Sequence, residues 1–304
     1  MSEPIKIQLY PSTQRLHTAY QSLVSSPPLG YDFISQPDSK KQLLIEKLKK
    51  LRVIKKMYLS FLKVFKTTSV LEFADTPAIS KEADLLFSTG SLYRGDKPWV
   101  IDIIDSPFCL SGNNYSLFMS NKKKLEKILL QENCKKIIIA HETALSRFNQ
   151  SFPSLIYKTV LVRPAVKPSN FSIDQKKYSK RRSYQLLFVG SINNPQDFYM
   201  KGGLEAIEVT ELLQNKGHDL NLIIRCKLPE ELRGRVTKNT KIKLIEEKLP
   251  YEEIVKLYAQ SDILLFPSHT YVLMVFLESM YFGLPIISSD SYAVKDYVID
   301  KETG

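Results

Sequence analysis

Glu278 lies in Leu277-Glu278-Ser279-Met280, a stretch with helical spacing and apolar neighbours. A carboxylate in such a setting costs several kcal/mol if nothing donates to it. Sugar or ribose hydroxyls would serve, because one carboxylate can accept from two adjacent hydroxyls. A structural ion pair with a nearby Lys or Arg would serve equally well. A second group of residues is Lys201-Gly202-Gly203, which opens a helix some ten positions after Leu187-Phe188-Val189-Gly190. Glycine after a strand lets a backbone approach a ligand, and free N–H groups at a helix start attract phosphate. Lys201 adds a mobile point charge suited to a diphosphate. The plainer alternative is a Lys-Gly turn ahead of a surface helix.

These residues need elements to hold them. Asp262-Ile263-Leu264-Leu265-Phe266-Pro267-Ser268 reads as a buried strand ending in a turn, and a loop from His269 to Tyr271 leads into the Glu278 helix. Gly283-Leu284-Pro285 stops that helix ahead of a strand at Pro285–Ser288. The other strands expected in this half are Tyr184–Gly190, Leu220–Arg225 and Lys241–Ile245. The first half has Ile5–Tyr10, Tyr31–Ile34, Asp84–Phe87, Trp99–Ile104, Lys136–Ala140 and Thr159–Arg163. Strands that alternate with helical patterns imply crossovers and parallel sheets, and their continuous apolar runs imply cover on both faces.

Residues 167–183, polar and basic, read as a linker between a domain at 1–166 and a second at 184–304. The fold class expected is α/β: two doubly wound, Rossmann-like parallel-sheet domains facing a cleft, with ligands at the carboxyl ends of the strands. Val294–Ile299 reads as a helix followed by a turn at Asp300–Gly304. A domain of this kind ordinarily adds further strand and helix there, so its C-terminal end is expected to be incomplete.

The chain has 304 residues, 43 basic against 32 acidic side chains and a net charge of +11. That excess suits phosphates of some kind without choosing among nucleic acid, anionic lipid and nucleotide. Cys109, Cys134 and Cys226 form no CxxC pair or metal-ligand cluster, which suggests a reducing compartment. Three Asn-x-Ser triplets begin at Asn114, Asn149 and Asn170, and carry no weight in a cytosolic chain. No apolar run suits a signal peptide or a bilayer span, so the expectation is a cytoplasmic protein, with a peripheral membrane position open.

Taken in order, Phe188-Val189-Gly190, Lys201-Gly202-Gly203, Asp262–Ser268, Leu277–Met280, Gly283–Ile287 and Thr303-Gly304 resemble the donor domain of family 4 (group 1) retaining glycosyltransferases of the GT-B fold. The resemblance covers Tyr184 to Gly304 and extends over residues 1–166 only as architecture. It implies a nucleotide-diphosphate sugar as co-substrate and no separate cofactor. Glu278 matches the second Glu of the family's E-x7-E motif, which holds the ribose hydroxyls, and Lys201 matches the cation that neutralises the diphosphate.

Several positions depart from the pattern. The first Glu of the motif falls on Thr270, the usual Gly-Phe-Gly is Tyr271-Val272-Leu273, and the usual Arg after the first strand is Ser191. Ile104-Asp105 stands where many relatives have His-Asp. Tyr10-Pro11-Ser12-Thr13 replaces the first Gly-rich loop. The candidate donor-binding residues are Gly190, Ser191, Lys201, Gly202, Arg225, Ser268, Tyr271, Val272 and Glu278. The candidate catalytic residues are His141, Asp105 and Thr270, and no metal ligand is expected.

His141, after a strand end, and His269, beside the Ser268 turn, are candidates to touch donor or acceptor. His17 and His218 read as ordinary surface or core residues. Asp38 to Lys66 contains ten Lys or Arg and two acidic residues, with Leu44, Leu48, Leu51, Ile54, Tyr58, Leu62 and Phe65 at helical spacing. Such a helix either packs on a core or lies on an anionic membrane. Nucleic acid is not expected as a partner, because no recognised module accompanies the charge. The function expected is glycosyl transfer with retention to a carbohydrate or lipid-linked acceptor, in cell-surface polysaccharide or glycolipid synthesis. The alternatives are a catalytically silent nucleotide-binding protein of the same fold and a basic membrane-surface adaptor.

Overall fold

The computed structural model describes residues 3–10, 18–34, 74–75, 79–103, 105–166, 183–270 and 272–304. The basic segment 38–66, the linker up to residue 182, His17, Ile104, Tyr271 and the loop at 11–13 lie outside the described residues. The chain divides into two compact units, Met1–Pro164 and Ala165–Gly304.

In the first unit the strands are β1 (Ile5–Tyr10), β2 (Tyr31–Ile34), β3 (Ala74–Asp75), β4 (Leu85–Thr89), β5 (Leu92–Tyr93), β6 (Trp99–Ile103), β7 (Cys134–Ile139) and β8 (Thr159–Leu161). Six form one parallel sheet in the order β2-β1-β4-β6-β7-β8, and β3 pairs with β5 in a small parallel ladder that the apolar runs did not announce. Helices α1 (Thr18–Ser25), α2 (Tyr115–Leu129) and α3 (Glu142–Ser151) accompany the sheet.

The start of α2 is set by Asn114, whose side chain accepts from the Leu117 amide at 3.0 Å. Its buried positions Phe118, Asn121, Leu125, Ile128 and Leu129 recur at three and four residues, so one face meets the core. At its far end the buried Lys158 donates to the carbonyls of Leu129 (2.9 Å) and Gln131 (2.7 Å). A lysine is tolerated inside because it satisfies carbonyls that a helix end leaves without partners.

The second unit contains β9 (Tyr184–Val189), β10 (Leu220–Arg225), β11 (Ile242–Ile245), β12 (Ile263–Leu265) and β13 (Ile286–Ile287). Its helices are α4 (Asp197–Met200), α5 (Gly203–Asn215), α6 (Glu230–Lys238), α7 (Tyr251–Gln260) and α8 (Met274–Tyr281). All five strands are parallel, in the order β11-β10-β9-β12-β13. After β9 the chain turns to one side of the sheet, and it returns to the other at β12. The carboxyl ends of β9 and β12 therefore flank the point where the winding reverses, which is where such sheets leave a crevice for ligands.

Two expected boundaries contract for physical reasons. The Asp262–Pro267 strand narrows to β12 because Asp262 turns its carboxylate to the Gln185 amide at 2.8 Å and proline has no N–H to give. The expected Val294–Ile299 helix is a short 3-10 segment, Val294–Asp296, in a stretch whose β-branched Val294, Val298 and Ile299 are weak helix formers.

Four aromatic rings support the two turns that follow β9 and β12. Phe188 stacks on Phe266 with centroids 5.1 Å apart and meets Phe198 edge-on at 5.6 Å, while Phe266 meets Phe276 at 6.1 Å. Phe188 belongs to β9, Phe266 follows β12, Phe198 lies in α4 and Phe276 in α8. Among the described residues no helix is long and apolar enough to cross a membrane.

Candidate functional site

The carboxyl end of β9 runs straight into Gly190. Its amide donates to the Arg225 carbonyl at 2.8 Å, continuing the β9–β10 ladder by one step. A β-carbon on Gly190 would sit 2.8 Å from the Cys226 β-carbon, so this position has no room for a side chain. The next residue, Ser191, accepts with its carbonyl from the Lys227 amide at 2.8 Å and with its hydroxyl from the Asn193 amide at 3.2 Å.

Arg225 closes β10 beside this turn. Its guanidinium makes one long contact, 3.4 Å to the Gly190 carbonyl, and its Nε is buried with no hydrogen-bond partner. Burial lowers its pKa from the usual arginine range, against the pull of Tyr258, Cys226 and Glu278. Among the described residues it forms no ion pair, which makes it a desolvated cation close to Glu278 without a direct bridge.

Glu278, mid-way along α8, is 7% exposed. The Tyr258 hydroxyl, from α7, donates to its Oε2 at 2.7 Å. Burial raises the Glu278 pKa above the ordinary carboxylate range, while the Tyr258 hydrogen bond and the Arg225 charge work the other way. Tyr258 itself is pushed well above its usual value by burial and by the Glu278 charge. Nearby Tyr251 rises to about 12, mainly through burial, with Glu278 and Tyr281 adding to it. The donor to the carboxylate is thus a tyrosine. Tyr258 carried no warning in the sequence, since an aromatic at core spacing on α7 reads as packing.

Lys201 caps α4, and Gly202 follows with φ +78°, a left-handed conformation. A β-carbon on Gly202 would lie 2.1 Å from the Pro267 carbonyl oxygen, so the Lys-Gly turn is pressed against the turn after β12. Glycine meets both demands at once, the backbone sign and the missing side chain. The His269 amide donates to the Met200 carbonyl at 3.0 Å, and its Nε2 lies 2.7 Å from Glu205 Oε1 in the first turn of α5. Glu205 was another silent position: a carboxylate in a helix's first turn is unremarkable on electrostatic grounds.

Ser268 is fully buried, and its hydroxyl donates to the Thr270 carbonyl at 2.9 Å and accepts from the Thr270 amide at 3.2 Å. Its own carbonyl accepts from the hydroxyls of Ser289 and Ser291, after β13. Val272 is buried just ahead of α8, and Tyr271 lies outside the described residues. Gly190, Arg225 and Glu278 therefore form one neighbourhood, and Lys201, Gly202, Ser268, His269 and Thr270 another, all at the carboxyl edge of the second sheet.

His141 and Asp105 belong to the first unit. His141 is fully buried at the end of β7 and acts as N-cap of α3, its Nδ1 accepting from the Ala144 amide at 3.2 Å. Asp105 follows β6, and its charge helps push the Cys109 thiol up to about 12, second to burial. On β6, Asp102 accepts from the Tyr20 hydroxyl at 2.8 Å and is raised to about 6 by burial.

No curated protein matches the chain in sequence. Residues 183–304 match the family model described as Glycosyl transferases group 1. Among solved structures, the chain is similar to a UDP-forming alpha,alpha-trehalose-phosphate synthase from Burkholderia xenovorans, with a TM-score of 0.57 and 11% identity over 97% of this chain and 86% of that one. Sucrose-phosphate synthase from Thermosynechococcus elongatus matches with a TM-score of 0.54 and 14% identity over 99% and 85%. TarM matches with a TM-score of 0.51 and 14% identity over 74% of this chain, which spans 44% of TarM's length. The second unit thus resembles a glycosyl transferases group 1 domain over residues 183–304, and the fold class of the chain, built from parallel Rossmann-like sheets, is GT-B.

Proposed function

We propose that the chain is a retaining glycosyltransferase that moves a sugar from a nucleotide-diphosphate sugar to a hydroxyl of a carbohydrate or lipid-linked acceptor, without a metal ion. The observation that carries this reading is the buried Glu278 carboxylate, bonded on one oxygen to Tyr258 with Arg225 beside it, at the reversal point of the second sheet. Tyr258 holds one oxygen and orients the other, which accepts from the ribose hydroxyls. The group 1 family match over the same residues supports this placement.

The diphosphate takes its countercharge from Lys201, the N-terminus of α5 and Arg225. These groups are in place before reaction, so they stabilise the charge that develops as the leaving group departs. The acceptor hydroxyl attacks the anomeric carbon on the face that the diphosphate leaves, and its proton passes to the departing phosphate oxygen. Configuration is retained with no stable covalent intermediate. Thr270 is the candidate at the sugar end of this site, and Asp105 and His141 are the candidate catalytic residues of the first unit. The protein works in the cytoplasm, at an anionic membrane surface reached through residues 38–66, in cell-surface polysaccharide or glycolipid synthesis.

A thermal-shift screen against UDP-, GDP- and ADP-sugars tests the reading, with UDP first because the Burkholderia relative is UDP-forming. Stabilisation by one nucleotide class that is lost in Glu278→Ala is the expected result. No shift with any of them overturns the donor site, and a shift that survives Glu278→Ala unchanged overturns the ribose placement.

A further inference from the structure

Arg94, Lys124 and Lys127 line a cavity of about 750 Å³ in the first unit, and Asp96 and Glu132 line it with them. All five residues are exposed, so a ligand can reach them. Among the described residues none of the five makes an ion pair or a side-chain hydrogen bond, although both signs of charge border the same space. The volume lies within the range of about 300–1,000 Å³ usual for small-molecule sites.

Two turns and a helix make the walls. Arg94 to Asp96 precede β6, Glu132 and Asn133 precede β7, and the two lysines stand one turn apart on α2. The Asn133 side-chain amide ties the turns together, donating to the Gly95 carbonyl at 2.5 Å. The Asn133 backbone carbonyl accepts from the Trp99 amide at 2.8 Å. Gly95 packs so close to Tyr93 that a β-carbon would sit 1.9 Å from the phenol oxygen. Backbone geometry thus shapes the cavity, and its charges are carried on long side chains. It opens at the edge of the sheet where the strands begin. Asp105 and His141 follow β6 and β7 at the other edge, roughly 16 Å away along a five-residue strand. The cavity is therefore separate from the candidate catalytic residues of this unit.

We infer that this cavity binds a small sugar phosphate, its phosphate held by Arg94, Lys124 and Lys127 and its hydroxyls by Asp96 and Glu132. Arginine and lysine are the donors that phosphate oxygens take, and carboxylates are strong acceptors for hydroxyls. A ligand with only one of these groups leaves the other charges unanswered. No aromatic ring lines the cavity, so a nucleotide base finds no surface to stack on. The inference does not depend on the donor-site reading of the second unit.

Calorimetry on the full chain tests it, with glucose 6-phosphate, glucose 1-phosphate and mannose 6-phosphate titrated beside inorganic phosphate, glucose and AMP. At least one hexose phosphate is expected to bind about tenfold more tightly than inorganic phosphate or AMP, and glucose alone not measurably. Lys124→Gln combined with Lys127→Gln lowers that affinity about tenfold, as loss of charge-assisted hydrogen bonds does. Asp96→Asn combined with Glu132→Gln brings the hexose phosphate down to the level of inorganic phosphate. All four substitutions fall on exposed side chains, and Arg94→Gln gives an independent check on the phosphate end. Glu278→Ala leaves the binding as it is, which separates this cavity from the donor site.

Equal affinity for inorganic phosphate and every hexose phosphate overturns the inference. So does binding that persists unchanged in the folded lysine double variant, or that is lost in Glu278→Ala. A chain that binds none of the hexose phosphates overturns it while leaving the donor site standing, because that site is read out with nucleotides. Recruitment to vesicles of phosphatidylcholine and phosphatidylinositol 4-phosphate, without binding of a soluble hexose phosphate, gives the same chemistry to a lipid headgroup and overturns the soluble ligand.

Discussion

Tyr258 donates a 2.7 Å hydrogen bond to Glu278 inside the second unit, joining α7 to α8. Burial holds both groups above their ordinary pKa values, and the bond is what makes an ionised Glu278 tolerable there. Tyr258→Phe removes the donor and leaves a buried carboxylate oxygen alone, a loss of about 1–3 kcal/mol. Because the folded pKa of Glu278 lies above the unfolded value, its ionisation costs stability that falls away as pH rises through the window above 4.5. The variant therefore loses more at pH 7 than at pH 4. Urea unfolding at the two pH values checks this, and an equal loss at both would contradict it.

Gly202 is the tightest point between the two turns of the site. Gly202→Ala would place a β-carbon 2.1 Å from the Pro267 carbonyl and force alanine into φ +78°. About 1–3 kcal/mol of stability is expected to go, together with nucleotide binding, because the Lys201 turn must shift. Lys201→Ala separates the two effects: it removes the charge and leaves the turn, so nucleotide affinity falls while Gly202 stays in register with Pro267. Thermal melts with and without nucleotide distinguish the variants.

On β6, the Asp102 carboxyl is raised to about 6 by burial, against an ordinary value of 3.8, with the Tyr20 hydroxyl bonded to Oδ2 and Oδ1 left without a partner. The folded state holds this proton more tightly than the unfolded chain. Its contribution to stability is therefore full below about 4 and is lost as pH rises to about 6, by up to about 3 kcal/mol. Asp102→Asn abolishes that loss. Unfolding free energies of both proteins across pH 4–7 should draw apart in favour of the variant, and parallel curves would refute the assignment.

His141 caps α3 through Nδ1. His141→Ala is expected to lose about 1 kcal/mol, and His141→Asn to keep most of it, because asparagine caps equally well. Chemical denaturation reads this. A fall in sugar transfer in His141→Asn at full stability would identify a role for the imidazole in the reaction itself.

Much of the scaffold can be read directly from residue order. Ile5–Tyr10, Tyr31–Ile34 and Leu220–Arg225 are strands to the residue: apolar residues predominate in β1 and β10, whose middles are buried, and β2 is a short, more exposed edge strand bounded by turn residues. Glycines 190 and 202 were also readable, since a glycine after a strand and another at a helix start each mark a close backbone approach, and both proved to have no room for a β-carbon. Glu278 stood out as a carboxylate among apolar neighbours, but the choice between an ion pair and another donor was not contained in local pattern.

Tertiary structure decided the partners. Tyr258 meets Glu278 because α7 and α8 flank β12, and Glu205 meets His269 because the turns after β9 and β12 converge where the winding reverses. Neither tyrosine nor first-turn glutamate is unusual in its own helix, so periodicity cannot mark it. By itself the sequence determined the strands of the two larger sheets, which backbone positions had to be glycine and which carboxylate needed company. Strand order in space, set by burial on both sheet faces and the handedness of crossovers, determined which side chains supply that company.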